Sequence, residues 1–212
     1  MSPNPDVLFQ PATHPHQFSA MGYLLGTFQP TPTEEIKRFI PGKFLTSFGI
    51  ELIASIKKTS WEKLRGREDF SEDAKFYWRV YFRTTKGGTL TKIELIKYLI
   101  NPPLLVSPSG ETLDELTDLF KVRGRIERIF EDNFSVRVER NDLPPKGKEN
   151  SLQWKPFSLK IQGNLPDEAV SEQFWELFCT REQEFLRLKK ATLMTEFEKK
   201  PKATETVYYF LP

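Results

Sequence analysis

From residue 19 onward the chain is a succession of short runs in which apolar and polar positions alternate every second residue, the period of a half-buried strand. The first run, Gly22-Tyr23-Leu24-Leu25-Gly26-Thr27-Phe28, is closed by Pro30 and Pro32. The runs Lys43 to Phe48 and Ile50 to Ile56 flank Gly49, a spacing that predicts a tight hairpin with Leu52, Ala54 and Ile56 on one face. Ser60-Trp61-Glu62-Lys63-Leu64 breaks the alternation and predicts one or two helical turns, with Ser60 placed to cap them. Phe76 to Arg83, a turn at Lys86-Gly87-Gly88 and the run Thr89 to Leu99 complete this half.

The second half repeats the order. Phe120 to Phe130 and Phe134 to Arg140 flank Glu131-Asp132-Asn133, and a polar loop runs from Asn141 to Lys155. Pro156 opens a strand through Phe157, Leu159 and Ile161 that ends at Gly163. From Asp167 to Arg181 a stripe of Val170, Phe174, Leu177 and Phe178 predicts an amphipathic helix. Leu186 to Met194 then predicts a fourth strand and Val207 to Leu211 a fifth.

Strand, strand, strand, helix, strand, strand is the order of the oligonucleotide/oligosaccharide-binding (OB) fold. The expected fold is therefore mainly β with minor α: two tandem five-stranded OB-like barrels, each with one helix between its third and fourth strands. The competing architecture is one mixed α+β domain with a long sheet. Expected boundaries are a mobile Pro-rich tail at 1–18, an N-terminal domain at 19–100, a linker at 101–118 and a C-terminal domain at 119–212. The linker, NPPLLVSPSGETLDELTD, is rich in proline and acidic residues, with room for one helical turn near Leu113 and Leu116.

Composition supports small domains. Apolar residues are only 38%, but 18 Phe and four Trp can fill compact cores. Lys and Arg number 31 against 29 Asp and Glu, so any basic footprint must come from local arrangement. One cysteine, Cys179, permits no internal disulfide and suits a reducing compartment. The N-terminal residues lack a basic stretch followed by an apolar one, and no apolar run has the length of a membrane span, so a cytoplasmic protein is expected.

The sharpest local signal is Phe76-Tyr77-Trp78-Arg79-Val80-Tyr81-Phe82-Arg83. Period two sends Phe76, Trp78, Val80 and Phe82 to a core and leaves Tyr77, Arg79, Tyr81 and Arg83 on the opposite face. Alternating phenol and guanidinium suits a single strand of nucleic acid, whose bases stack on rings while arginines meet phosphates. Tyr and Arg are equally at home on a solvated strand face. A second basic strand carries Lys121, Arg123 and Arg125 on one face, with Arg137 and Arg140 on its hairpin partner. Gly124 within it allows a bulge or a close backbone approach. The opposing possibility is that Glu127, Glu131, Asp132 and Glu139 pair with these bases and neutralise the face.

Catalysis finds little support. Both histidines, His14 and His16, fall in the tail, which leaves a Cys or Ser nucleophile without a base in the folded part. Cys179 reads as a packing residue, Lys86-Gly87-Gly88 lacks the spacing of a phosphate loop, and no metal-ligand spacing occurs. No cofactor and no catalytic residue are expected.

The patterns Gly22-x-Leu24-x-Gly26-x-Phe28-x-Pro30, Gly42-Lys43-Phe44-Leu45-x-x-x-Gly49-Ile50-Glu51-Leu52 and Trp78-Arg79-Val80-Tyr81-Phe82-Arg83-Thr84 occur in that order. They are followed by Phe120-Lys121-Val122-Arg123-Gly124 and Pro156-Phe157-Ser158-Leu159-Lys160-Ile161-x-Gly163-x-Leu165-Pro166. Together they resemble a family of cyanobacterial proteins with tandem OB-like barrels, over about residues 20–193. The resemblance rests on strand patterns; it implies a bacterial cytoplasm and no activity. The expected function is a non-catalytic binding module for single-stranded nucleic acid, with Tyr77, Arg79, Tyr81, Arg83, Lys121, Arg123, Arg125 and Arg137 as contacts. The alternative is a protein-interaction or assembly factor that uses exposed barrel faces or edges.

Overall fold

The computed structural model describes residue 9 and residues 12–32, 38–68, 70–99, 118–142 and 155–195. In the first half β1 (Ser19–Pro30), β2 (Phe39–Thr46) and β3 (Glu51–Lys57) precede helix α1 (Lys58–Arg65), and β4 (Phe76–Thr84) and β5 (Leu90–Leu99) follow it. β1 pairs with β2 and β4, β2 with β3, β4 with β5, and β3 runs parallel to β5. That circuit closes a five-stranded barrel in the predicted OB order. Alternation is clean along β2 and β3, where every second residue is buried, so one face of each strand builds the core.

Helix α1 sits where the pattern placed it, between the third and fourth strands. It buries Trp61 and Leu64, and the Trp61 ring meets Phe28 and Phe70 edge-on at 5.3 and 5.6 Å. The capping expectation is corrected: Lys57 holds the N-cap position without a side-chain hydrogen bond, and Ser60 lies inside the helix.

The second half comprises β6 (Leu119–Ile129), β7 (Asn133–Val138), β8 (Phe157–Gln162), β9 (Phe174–Glu182) and β10 (Phe185–Thr195). β6 pairs with β7 and β9, β7 with β8, β9 with β10, and β8 is parallel to β10, so the same circuit closes a second barrel. The helix expected from Asp167 to Arg181 is absent: its second half is strand β9, and residues 163–173 run as turns and irregular backbone. The reason is burial on both faces. Trp175, Leu177 and Cys179 point into the main core, while Phe174 and Phe178 are covered from outside, so the apolar positions imitate a helical stripe. β10, expected as the fourth strand, is therefore the fifth. Val207 to Leu211, and the possible helical turn near Leu113 and Leu116, lie outside the described residues.

The barrels are fused. β1 also pairs with β6, from Ser19↔Arg123 to Tyr23↔Leu119, which joins all ten strands into one sheet. One hydrophobic cluster runs through both barrels, and the Phe82 and Phe120 rings meet edge-on at 4.9 Å across the junction. Gly22 makes this possible, because a Cβ there would lie inside contact distance of the Phe120 ring. A second junction forms where the turn before β5 meets the other barrel: Leu90 N donates to Glu184 O, and Lys160 N donates to Thr84 Oγ1. Gly124 does admit a close backbone approach, since a Cβ there would stand 2.5 Å from Arg137 O. No helix among the described residues is long and apolar enough to cross a membrane.

Candidate nucleic-acid interface

Pairing registers place both predicted basic strands on one surface. Residues paired across adjacent strands point to the same side of a sheet. One row across the outer face reads Lys97, Arg79, Tyr23, Leu119, Thr180 on β5, β4, β1, β6 and β9. The next reads Glu94, Tyr81, Met21, Lys121, Phe178. Arg83 stands opposite Lys92, and Ser19 leads to Arg123 and Glu176. At the usual strand spacing, β4 and β6 are about 10 Å apart with only β1 between them. Two motifs some 40 residues apart in sequence thus share a face that crosses both barrels.

The β4 and β5 portion of that face is open. Phe76, Trp78, Val80 and Phe82 turn inward, as the alternation requires, and Tyr77, Arg79, Tyr81 and Arg83 turn outward. Tyr81 is 50% exposed, Arg83 is exposed, and Tyr77 and Arg79 are half-buried. Arg79 hydrogen-bonds the Tyr23 hydroxyl, whose pKa burial raises while the Arg79 charge and hydrogen bond pull it back. The Arg83 guanidinium lies 4.4 Å from the centroid of the Phe157 ring on β8, which makes it a bridge between the barrels.

Two exposed lysines, Lys92 and Lys97, complete this portion and were missed in the sequence. Lys97 was hidden by a register shift between Arg79 and Val80, which skips Ile96 and carries Lys97 to the outer face. Strict period two from Lys92 and Glu94 would have sent it to the core.

The β6 portion is different. Lys121 and Arg123 are buried, and both reach Oε2 of Glu176, at 3.0 and 3.3 Å. The cover comes from the N-terminal residues. Phe9 packs edge-on against Tyr23 and Phe178, while His16 and Phe18 pack against Phe174. Arg123 Nη2 donates to Pro15 O at 2.8 Å, and Asn141 exchanges two hydrogen bonds with the Phe18 backbone. Burial lowers the Arg123 pKa, and the Glu176 charge opposes it.

Arg125 and Arg137 face each other across β6 and β7, with Glu139 bonded to both at 3.0 and 2.7 Å. Arg125 also reaches Glu172 at 3.0 Å. Of the acids expected to neutralise this strand, Glu139 does so, and Glu127 instead accepts the Ser158 hydroxyl. Glu172 and Glu176 were overlooked because their segment read as helix. A further buried pair, Arg181 and Asp118 at 2.5 Å, ties the start of β6 to β9. Burial raises the Asp118 pKa and Arg181 pulls it back.

Residues 122–195, most of the second barrel, match the model of a family described as "Cyanobacterial OB-fold-like RNA-binding domain, C-terminal". No curated protein matches the chain. Among solved structures, the single-stranded DNA binding protein from Thermus aquaticus is similar at 7% identity and a TM-score of 0.43. It covers 89% of this chain and 99% of its own, a likeness too loose to carry an argument. The cyanobacterial resemblance and the OB-like architecture legible in the strand patterns are thus borne out, and residues 122–195 are similar to a cyanobacterial OB-fold-like domain.

Proposed function

We infer that this protein is a non-catalytic binder of single-stranded nucleic acid, RNA or DNA, through the outer face of β4 and β5. The observation that carries this reading is Tyr81, a half-exposed ring on a strand between Arg79 and Arg83, with Lys92 and Lys97 on the neighbouring strand. Rings supply stacking to any base, and the cations supply phosphate contacts without reading sequence. The RNA-binding description of the family matched by residues 122–195 supports nucleic-acid binding in general; the matched residues belong to the second barrel and do not include β4 or β5. Arg125 and Arg137, already engaged by Glu139, and the covered Lys121 and Arg123 are secondary contacts.

The test is fluorescence anisotropy of labelled RNA and DNA 20-mers at two salt concentrations. Three to four phosphate contacts on a single strand give a log–log salt slope of about −2 to −3, so affinity falls roughly 20- to 50-fold between 50 and 200 mM salt. The Tyr77→Ala/Arg79→Ala/Tyr81→Ala variant loses that binding. No binding by the parent protein at low salt refutes the reading.

One observation favours a protein partner instead. Phe48 and Ile53 are 66% and 62% exposed and Leu45 is 40% exposed, three apolar side chains of the β2–β3 hairpin open to solvent. That alternative predicts weak salt dependence and a binding loss on Phe48→Ser/Ile53→Ser, with the β4 variant unaffected.

A further inference from the structure

The end of β4 and the turn after it are fixed to the second barrel. Lys160 N on β8 donates to Thr84 Oγ1 at 3.1 Å, and Leu90 N, just past the turn, donates to Glu184 O at 2.6 Å. Beside these bonds the Arg83 guanidinium carbon stands 4.4 Å from the centroid of the Phe157 ring. Phe157 opens β8 and packs half-buried against the shared core, so the second barrel holds the ring in place.

Arg83 has little else to hold it. It is exposed, and among the described residues no carboxylate pairs with it. Directly opposite on β5 stands Lys92, also exposed and without an ion pair among the described residues. Glu94, the acid of that strand, stands opposite Tyr81 instead. Like charges opposite each other on adjacent strands repel, and an anion bound between them relieves the repulsion. Arg79 differs, because it is half-buried and bonded to the Tyr23 hydroxyl. Tyr81 and Arg83 lie two residues apart on one face, about 7 Å along the strand. A phosphate between Arg83 and Lys92 therefore adjoins a base stacked on Tyr81. An exposed arginine samples many rotamers, and ordering it on binding costs affinity. A ring against its guanidinium narrows that choice before the strand arrives.

We propose that Phe157 is a positioning residue of the strand-binding face. It holds the Arg83 guanidinium for the phosphate contact shared with Lys92, so a face built on the first barrel is completed by a residue of the second. This inference rests on the strand binding inferred above for β4 and β5.

Fluorescence anisotropy of a labelled oligouridylate 20-mer with the full chain tests it, using Arg83→Gln, Phe157→Leu, Phe157→Tyr and the double variant Arg83→Gln/Phe157→Leu. Arg83→Gln is expected to flatten the log–log salt slope by about 0.7, the loss of one phosphate contact. Phe157→Leu keeps an apolar side chain against the core and weakens low-salt binding by roughly two- to fivefold. Phe157→Tyr keeps the ring and binds as the parent does. In the Arg83→Gln background Phe157→Leu changes nothing further, which a merely structural role would not produce. Urea midpoints establish that each variant is folded under the assay conditions. In a parent protein that binds, three results overturn this inference and leave the β4 reading standing: no weakening by Phe157→Leu, equal weakening with and without Arg83, or an unchanged salt slope in Arg83→Gln. No binding by the parent at low salt refutes the β4 reading itself, and this inference with it.

Discussion

Replacing Gly22 by Ala places a methyl group against the Phe120 ring, which is fully buried where β1 of the first barrel pairs with β6 of the second. Two effects oppose each other. Ala is preferred over Gly within a strand by about 0.5–1 kcal/mol, because the unfolded chain loses less freedom. Overpacking a core typically costs about 1–3 kcal/mol. The Phe120 ring is itself held against Phe82 at 4.9 Å, so it has little room to retreat, and the overpacking cost wins. Gly22→Ala is therefore expected to destabilise by about 1–2 kcal/mol net.

Phe120→Val removes the ring atoms that meet the new methyl and costs about 3 kcal/mol or less through the cavity it leaves. In that background Gly22→Ala changes sign and stabilises by about 0.5 kcal/mol or more. Urea unfolding of the parent, the two single variants and the double variant measures the coupling through the shift in midpoints at constant slope. Additive effects, with Gly22→Ala equally destabilising in both backgrounds, would refute the shared core across the junction.

Three further outcomes follow from other sites. Arg181→Ala leaves the Asp118 carboxylate buried without its partner and is expected to cost about 3–5 kcal/mol in urea unfolding; a loss under 1 kcal/mol contradicts the buried pairing. Cys179 is fully buried and its thiol pKa is pushed far up by burial, so Ellman's reagent at pH 8 should react only after unfolding. Because the native state holds that proton after the unfolded thiol has released it, the stability advantage of the parent over Cys179→Val shrinks above about pH 8.5 by about 1.4 kcal/mol per pH unit. A difference that stays constant from pH 8 to 10 counts against it.

The strands of the first barrel were legible because each buries one face. Along β2 and β3 every second residue is buried, so alternation alone found them. The same logic sorted β4 into a core face and an outer face. It failed where tertiary contacts cover both faces of a strand. β9 packs Trp175 and Leu177 inward and Phe178 outward under Phe9, and nothing local distinguishes that pattern from a helical stripe. Lys97 escaped notice because a register shift, invisible without the partner strand, moves it to the other face. The covering of Lys121 and Arg123 depends on Phe9 and Pro15, more than 100 residues away in sequence. The basic pattern of β6 was visible, but its burial was not.

The stacking of bases proposed for the outer face of β4 makes Tyr81→Ala the decisive variant. Each stacked base is worth about 1–3 kcal/mol, so binding of an RNA 20-mer at low salt should weaken roughly 5- to 150-fold, while Tyr81→Phe stays within a few-fold of the parent. Binding by Tyr81→Ala equal to the parent, in a variant with unchanged stability, would show that the strand lies elsewhere on the protein.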